Sequence, residues 1–507
     1  MPARPNLLIV MADQLTAAVL PAYGGKVAKT PHLNGLAETG VVFESFYCNS
    51  PLCAPSRYSW LAGQLPSRIG AYDNAAEFAA QVPTFAHYLR HAGYRTALSG
   101  KMHFCGPEQL HGFEERLTTD IYPADFGWTP DWTRFDERPG WYHTMDSVIQ
   151  AGPCTRTNQI DFDDEVAFAA RQKLFDIARG KDRRPFCLVV SMSHPHDPYV
   201  IPEPYWNRYR DSEIDLPRVK DRELDEDPHS RRLRHVIGLT LAQPNETQIR
   251  AARRAYLGAV SYVDDQIGSL LATLRQAELD ANTVTMVLAD HGDMLGERGL
   301  WYKMNFFESA CRIPLIVHAP ERFVPHRVSG PASLLDILPT LVDLASEGKA
   351  KATAYSAPID GHSLLPALQG GAVPGEVVGE YLAEGAIAPI VMIRRGHYKF
   401  VHSAADPDQL YDLVADPDER VNLSSRADCT ALVAEFRTDV ARRWSLPEIH
   451  QAVLASQRRR HLVYAALRTG RYRPWDYQPL RDASRLYIRN DQELNDLEAT
   501  ARFPPLA

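Results

Sequence analysis

The sequence lacks a hydrophobic run long enough to cross a membrane, and it shows no secretion signal. The longest apolar run near its beginning covers residues 7–12 and lies between Arg4 and Asp13, whereas a transmembrane helix needs about 20 apolar residues. The small-residue cleavage site of a signal peptide is also missing. We therefore expect a cytoplasmic protein that has no membrane partner.

Cysteine is scarce, and basic residues are not in excess. The seven cysteines are Cys48, Cys53, Cys105, Cys154, Cys187, Cys311 and Cys429. Their odd number and the absence of a Cys-x-x-Cys pair exclude a disulfide framework and a zinc-finger spacing. A formal net charge of −8 argues against a nucleic-acid partner. What is present is a globular composition, with 45% hydrophobic and 23% charged residues over 507 positions, enough chain for one large and one smaller domain.

Four apolar runs end directly before residues that can do chemistry. The runs cover residues 6–12, 94–99, 186–191 and 283–289. The residues that follow them are Asp13, Lys101, His103, His194, His196, Asp290 and His291. Continuous apolar strands between helices indicate an α/β fold, in which a mostly parallel sheet is flanked by helices and functional residues lie at the carboxyl ends of the strands.

The rest of the chain divides into helices, a smaller domain and a tail. The periodicity predicts helices over 83–92, 165–178, 249–277 and 334–345, and an irregular insertion over 202–248. Alternating segments at 390–393 and 398–401 predict a short antiparallel sheet. We expect a catalytic domain over 1–345, a smaller C-terminal α+β domain over 346–470 and an extended, docking tail over 471–507.

The strongest local pattern is Cys53-Ala54-Pro55-Ser56-Arg57, followed by Gly63. Pro55 suits a first helical turn and Gly63 suits a helix end, so Cys53 is predicted at a helix N-terminus with Arg57 one turn further on. Taken alone, a buried structural cysteine is the commoner interpretation. The run resembles, residue for residue, the signature of the sulfatase family, in which this cysteine is oxidised to formylglycine. Residues 93–103 resemble the second signature of that family equally closely.

The resemblance covers nearly the whole chain, including 290–292, 360–366 and 410–413. Within the family, residues 73–77, 194–199, 303–308 and 474–476 are similar to the choline-sulfatase branch. The resemblance implies an alkaline-phosphatase-like fold and hydrolysis of a sulfate monoester, choline-O-sulfate in particular. It also implies a formylglycine-generating maturation enzyme as a partner, and a homo-oligomer, a dimer or tetramer, whose tail closes a neighbouring pocket.

The chemistry of such an enzyme explains why these residue types are needed. One oxygen of an aldehyde hydrate attacks sulfur, and the other expels sulfate afterwards, which a serine nucleophile cannot do. By resemblance, a divalent cation is bound by Asp13, Asp290, His291 and residue 53, while Arg57, Lys101 and Lys303 supply positive charge.

The predicted metal ligands depart from the commoner family pattern at two positions. Gln14, which offers an amide oxygen, stands where a second aspartate is usual, and His291 stands where many relatives have asparagine. Without the resemblance, Asp13 is a strand-end cap and Asp290 a turn residue. The donor set suits Ca²⁺ best and leaves Mg²⁺ and Mn²⁺ open.

The choline leaving group and the sulfate group each require a polar partner. The choline alkoxide is a strong base and needs a general acid, for which His103 and His196 are the candidates and His194 is given a structural role. Asn74 is expected to hydrogen-bond the sulfate, although a loop asparagine is more often a turn residue.

The trimethylammonium group has no hydrogen-bond donor, so its recognition needs an aromatic face and a carboxylate. The resemblance selects Trp128, from an aromatic stretch that would otherwise be core, and Glu384, with Glu380 as the alternative.

Two other functions stay open at this stage. One is a phosphonate monoester or phosphodiester hydrolase on the same frame, which would not need a cation cage. The other is a quaternary-ammonium binding protein with an unmodified Cys53. Initial rates on a sulfate ester and a phosphodiester separate the first from a sulfatase, and the strand-end ligands argue against the second.

Overall fold

The computed structural model describes residues 4–220, 227–346, 355–480 and 493–504. Its strands are β1 Asn6–Asp13, β2 Val41–Tyr47, β3 Arg95–Gly100, β4 Glu115–Arg116, β5 Gly152–Cys154, β6 Phe186–Pro195, β7 Val200–Pro202, β8 Thr283–Ala289, β9 Arg312–Ile313, β10 Leu315–His318, β11 His326–Ser333, β12 Glu376–Tyr381, β13 Ile390–Arg395, β14 Tyr398–Ser403 and β15 Asp406–Asp412.

Its helices are α1 Pro31–Thr39, α2 Cys53–Ala62, α3 Pro66–Ile69, α4 Phe85–His91, α5 Asp146–Ile149, α6 Asn158–Arg179, α7 Glu203–Trp206, α8 Pro228–Val236, α9 Glu246–Gln276, α10 Glu308–Cys311, α11 Ile337–Ala345, α12 Leu365–Leu368, α13 Thr430–Arg443, α14 Leu446–Leu467 and α15 Leu494–Ala501. Within the described ranges, no helix combines the length and the apolar character that crossing a membrane requires.

A large mixed sheet forms the centre of the molecule. Its strand order is β11-β2-β10-β8-β1-β6-β3-β4, with β9 paired to β2. The four strands β8, β1, β6 and β3 are neighbours and run parallel, and β10 is antiparallel to both β8 and β2. Every residue of β6 and β8 is buried, as expected for strands covered on both faces. The predicted, mostly parallel sheet is confirmed.

Helices pack against this sheet where periodicity predicted them. α6 and α9 contact β6, α4 contacts β3 and α1 contacts β10. α6 begins before its predicted start because the Thr157 side chain caps it, accepting the Ile160 amide at 3.1 Å. Asn245 and Gln248 form a capping box at the start of α9. The helices predicted over 83–92, 165–178, 249–277 and 334–345 are therefore confirmed as α4, α6, α9 and α11.

A second, antiparallel sheet lies in the C-terminal part of the chain. Its order is β12-β13-β14-β15, and α13 packs on β14, where the Phe436 ring stacks on Phe400 at 5.2 Å between centroids. The two predicted segments are β13 and β14, while β12 and β15 carry no clear alternation in the sequence.

Two predictions about irregular segments are wrong in part. The insertion over 202–248 contains the two helices α7 and α8, of which α8 begins where Asp227 accepts the Ser230 amide at 2.9 Å. In the described part of the tail over 471–507, residues 471–480 carry no regular structure, but the helix α15 covers Leu494–Ala501 and is capped by Glu493. Both errors arise from caps that local periodicity did not show. The remaining parts of these predictions, residues 221–226, 481–492 and 505–507, lie outside the described residues.

Candidate active site

The carboxyl ends of four neighbouring strands and the start of α2 meet at one place. β1 ends at Asp13, β8 ends just before Asp290, and β3 ends just before Lys101. α2 begins at Cys53 and ends at Gly63, whose φ of 63° is the left-handed conformation that glycine tolerates. The predicted helix and its two ends are thus confirmed. This edge is where open α/β sheets place their ligands.

The four predicted metal ligands form a buried cluster. One donor atom from each of Asp13, Cys53, Asp290 and His291 lies within 4.8 Å of the others. The Cys53 Sγ is 3.2 Å from His291 Nε2. The Asp13 Oδ1 is buried and has no hydrogen-bond partner among the described residues, a condition that is costly unless another group satisfies it. Two carboxylates, one of which has an orphaned oxygen, and an imidazole fit a divalent cation.

Two buried cations surround the same cluster. Arg57 donates to Asp13 Oδ2 at 2.8 Å and to Asp290 Oδ2 at 2.9 Å. Lys101 Nζ lies 2.5 Å from Asp13 Oδ2 and 3.7 Å from the Cys53 Sγ. Since all these side chains are buried, their charges act at low dielectric. Lys101 is therefore within reach of an anion at residue 53, whereas the Arg57 guanidinium is held by Asp13, Asp290, the Lys101 carbonyl and the Ser191 hydroxyl.

The electrostatics of the cluster favour negative charge at position 53. Burial alone raises the pKa of the Cys53 thiol, but Lys101, Lys303 and His291 outweigh burial and hold that pKa well below its usual value. For Asp13, burial and Cys53 are likewise outweighed, chiefly by Lys101, and its pKa is lowered. A site that stabilises a thiolate here also stabilises an oxyanion or a sulfate group.

Lys303 is held in place by Gln14, one of the two residues that depart from the family pattern. Its Nζ donates to Gln14 Oε1 at 2.6 Å and lies 2.7 Å from His196 Nε2. The Gln14 Nε2 in turn donates to Asp293 Oδ2 at 2.6 Å. The amide oxygen that the sequence offered to the metal is therefore engaged by Lys303.

His196 is oriented by neighbours that sequence reasoning missed. Its Nδ1 lies 2.7 Å from the Asp197 carbonyl oxygen, and Asp197 Oδ2 lies 3.1 Å from His143 Nδ1. Asp197 directly follows His196, which was the available signal, whereas His143 comes from a loop with no distinguishing pattern. His194 points away to Asp163, at 2.7 Å, which suits the structural role predicted for it.

His103 packs against the ring of Trp128 and lies near the Cys53 thiol. Both of its ring nitrogens are buried and have no hydrogen-bond partner among the described residues. Its ring is 5.5 Å from Trp128, edge to face, and it also contributes to lowering the pKa of Cys53. Its backbone has a φ of 63°, and Asp120 accepts its amide at 2.9 Å. A strained, over-determined backbone of this kind is common at functional sites.

The two residues predicted for the cation site lie near the cluster. The Trp128 ring is half-buried and lies 6.1 Å from Tyr122, a residue that sequence reasoning missed. Glu384 is only 4% exposed, and burial raises its pKa to about 7, with a further contribution from Asp73. The Glu384 carboxylate lies close enough to Lys303 and Cys53 for their charges to act on it.

The alternative carboxylate and the predicted asparagine have other partners. Glu380 accepts hydrogen bonds from the Ser67 amide, the Ser67 hydroxyl and Trp444 Nε1, each at 2.7 Å, so the structure does not bring it to the site. The half-buried Asn74 side chain accepts the Ala54 amide at 3.0 Å, which places Asn74 directly over the start of α2.

The chain belongs to the sulfatase family, whose model, described as "Sulfatase", matches residues 5–347. The chain is therefore a sulfuric ester hydrolase, and the resemblance and fold stated from the sequence are confirmed. A second model, "Choline sulfatase enzyme C terminal", matches residues 451–503. A third, "N-sulphoglucosamine sulphohydrolase, C-terminal", matches residues 296–444.

Comparison with individual relatives shows which members of the family the chain is similar to. The chain is 48% identical to the choline-sulfatase of Rhizobium meliloti (strain 1021), over 99% of each chain. It is 27% identical to arylsulfatase K of Danio rerio, over 83% of this chain and 81% of that one. Among solved structures, the phosphonate monoester hydrolase SpPMH from Silicibacter pomeroyi has a TM-score of 0.68 at 24% identity, covering 86% of this chain and 94% of that one. That likeness concerns the fold alone.

Proposed function

We propose that this protein hydrolyses choline-O-sulfate to choline and sulfate. The observation that carries the proposal is that Trp128, which packs on His103, and the buried Glu384 both lie near the Cys53 cluster. An aromatic face and a carboxylate are what a trimethylammonium group needs, and the cationic cluster is what a sulfate needs. The 48% identity to a choline-sulfatase supports the same substrate.

Three cations and one amide are assigned to the sulfate group. Arg57, Lys101 and Lys303 balance the charge of the sulfuryl oxygens, and Asn74 donates a hydrogen bond from its amide nitrogen. Gln14 acts on the sulfate only through Lys303, since its oxygen accepts the Lys303 ammonium. Preorganised charges of this kind stabilise the transition state because they need no reorganisation during the reaction.

Two groups that the family uses complete the site. Asp13, Asp290 and His291 would hold a divalent cation together with residue 53; Ca²⁺ is our first choice because two carboxylates dominate the donor set, and Mg²⁺ and Mn²⁺ are the alternatives. Such a cation supplies positive charge to the nucleophile and the sulfate. Cys53, converted to formylglycine, supplies an aldehyde hydrate as the oxygen nucleophile.

The two candidate histidines are assigned different proton transfers. Lys303 Nζ and His196 Nε2 are 2.7 Å apart, a distance at which the two nitrogens share a proton, and this pair is assigned to protonate the leaving choline oxygen. His103 has ring nitrogens without partners among the described residues and lies near Cys53. It is assigned to accept a proton from the oxygen at residue 53.

We further propose the cytoplasm as the location, a formylglycine-generating enzyme as the maturation partner, and a domain layout of 1–345, 346–470 and 471–507.

A homo-oligomer is proposed as well. It is supported by apolar residues exposed at the end of α14, where Leu462 is 72% and Val463 40% exposed. Light scattering on full-length protein and on a chain ending at residue 470 tests the role of the tail, since the truncated chain should give a smaller assembly.

A substrate panel tests the proposed function. Matured protein is assayed on choline-O-sulfate, 4-nitrophenyl sulfate and bis(4-nitrophenyl) phosphate under the same conditions. We expect the highest kcat/KM on choline-O-sulfate, because only that ester contacts Trp128 and Glu384 with a cation. A higher kcat/KM on the phosphodiester would contradict the proposal and favour the phosphonate monoester or phosphodiester hydrolase instead.

A further inference from the structure

A buried arginine of the C-terminal helix α14 joins two loops of the active site. Arg460 is 5% exposed and Asp73 is fully buried. The Arg460 Nη1 and Nη2 donate to Asp73 Oδ1 and Oδ2 at 2.6 and 2.7 Å. The same Nη1 lies 3.1 Å from the hydroxyl of Thr129. One rigid guanidinium therefore binds a carboxylate from one loop and a hydroxyl from another.

The first loop carries the sulfate end of the proposed pocket. Asp73 precedes Asn74, and Asp73 Oδ1 also accepts the Ala75 amide at 2.9 Å. Asn74 accepts the amide of Ala54, the residue after Cys53. A shift of the Asp73 carboxylate would therefore shift Asn74 relative to the nucleophile position.

The second loop carries the cation end. Thr129 directly follows Trp128, and its hydroxyl donates to the Phe126 carbonyl at 2.8 Å. The same helix binds this loop once more, because Gln457 Oε1 accepts the Trp132 amide at 3.0 Å. Trp132 Nε1 then donates to the carbonyl of Ala383, next to Glu384, at 3.0 Å.

We propose that Arg460 is a positioning residue that sets the distance between the sulfate end and the cation end of the pocket. It thereby selects a substrate with two carbons between the ester oxygen and the quaternary nitrogen. This inference rests on the proposed function, because it assumes that Asn74 contacts the sulfate and that Trp128 contacts the cation. A bidentate, charge-assisted pair fixes both separation and orientation, which a single hydrogen bond does not.

A purely structural ion pair is the simpler interpretation of Arg460 and Asp73. Buried ion pairs are weak evidence for stability, and a structural pair would be expected to affect all substrates alike. The hydrogen bond from Arg460 to Thr129 distinguishes a positioning role from a purely structural one. Thr129 lies next to Trp128, and this bond contacts neither the nucleophile nor the predicted metal ligands. The test therefore has to compare substrates that differ only in length.

The experiment compares choline-O-sulfate with 3-(trimethylammonio)propyl sulfate, which has one more methylene. For the wild type we expect a preference for choline-O-sulfate of about 10- to 200-fold in kcat/KM, the range that one methylene gives in a fitted pocket. For Arg460→Met we expect this preference to fall about fivefold or more, with the change mainly in KM. Thr129→Val, which keeps the ion pair, should lower the preference in the same direction by a smaller factor.

Two controls separate positioning from folding. Arg458→Met changes an exposed arginine on the same helix and should leave the preference and the melting temperature unchanged. If Arg460→Met does not fold, Arg460→Lys, which keeps the charge but not the bidentate geometry, takes its place with the same expected fall.

The inference and the proposed function fail in different ways. A wild type that turns over neither trimethylammonium ester better than 4-nitrophenyl sulfate would contradict the proposed function, and the inference with it. A choline-preferring wild type whose preference is unchanged in the Arg460 variants would contradict the inference alone. Equal loss on both trimethylammonium esters would show that Arg460 is structural and would also overturn the inference.

Discussion

Among single residues, Glu384 is expected to make the affinity for choline-O-sulfate depend on pH. Burial raises its pKa to about 7, so the free site loses negative charge as the pH falls through neutrality. Only the ionised carboxylate attracts a trimethylammonium group. We therefore expect KM for choline-O-sulfate to rise as the pH is lowered from about 8 to 6, with little change for 4-nitrophenyl sulfate.

Glu384→Gln is the matched variant for this prediction. It should raise KM for choline-O-sulfate at every pH and remove the dependence near pH 7. Steady-state kinetics across the pH range measure both effects. If KM of the Glu384→Gln variant still depended on pH near 7, the pH dependence would belong to another titrating group.

Trp128 is expected to affect recognition more than sulfuryl transfer. A cation over an indole face contributes about 0.5–2 kcal/mol, so Trp128→Ala should lower kcat/KM on choline-O-sulfate by roughly 2- to 30-fold. An uncharged aryl sulfate lacks this contact, and the ratio of the two kcat/KM values should fall. Equal losses on both esters would mean that Trp128 is structural.

The roles of His196 and His103 can be distinguished by comparing esters whose leaving groups differ in basicity. If the pair of His196 and Lys303 protonates the leaving oxygen, His196→Gln should lose about 100-fold or more in kcat on choline-O-sulfate and much less on 4-nitrophenyl sulfate, whose leaving group needs no acid. His103→Gln should lose activity on both esters. If His103→Gln were selective for choline-O-sulfate and His196→Gln lost activity on both esters, the assignments of the two histidines would be exchanged.

At the scale of elements, the end of β1 is predicted to be a metal ligand rather than a cap. Asp13→Asn should lower bound divalent metal and kcat together, because Asp13 Oδ1 has no other partner in the described structure. Metal content is measured by elemental analysis after gel filtration, with Asp280→Asn, a substitution of an exposed residue at the start of a 3-10 helix, as control. Unchanged metal and unchanged kcat in Asp13→Asn would make Asp13 a strand-end cap.

The elements also show how far the sequence alone leads. The strands β1, β3, β6 and β8 were predictable because buried parallel strands are continuous apolar runs, and α2 because Pro55 and Gly63 mark its ends. The helices α8 and α15 were not, since each is a short helix whose start depends on a capping side chain.

Contacts between distant parts of the chain could not be predicted at all. Arg460 meets Asp73 across 387 positions, and Gln14 meets Lys303 across 289. Neither side chain stands in a pattern that names its partner. The resemblance supplied residues for the site, whereas the arrangement that holds Lys303 and Trp128 in place came only from the structure.

For the molecule as a whole, the central sheet and the helix α14 hold different parts of the proposed pocket. In the proposed function, the strand ends supply the groups for sulfuryl transfer, and α14 holds the loop that carries Trp128. We therefore expect that changes in the C-terminal part can alter substrate selection without disturbing the cluster around residue 53. This division suits a fold that serves esters of several kinds.

The most direct test measures the rate on choline-O-sulfate against the fraction of residue 53 that has been converted. Peptide mass spectrometry determines that fraction, because replacing the thiol by an aldehyde lowers the peptide mass by about 18 Da. Preparations made with increasing amounts of maturation enzyme should show a rate proportional to the converted fraction, and Cys53→Ala should be inactive. Full activity in protein whose Cys53 is entirely unmodified would contradict the account.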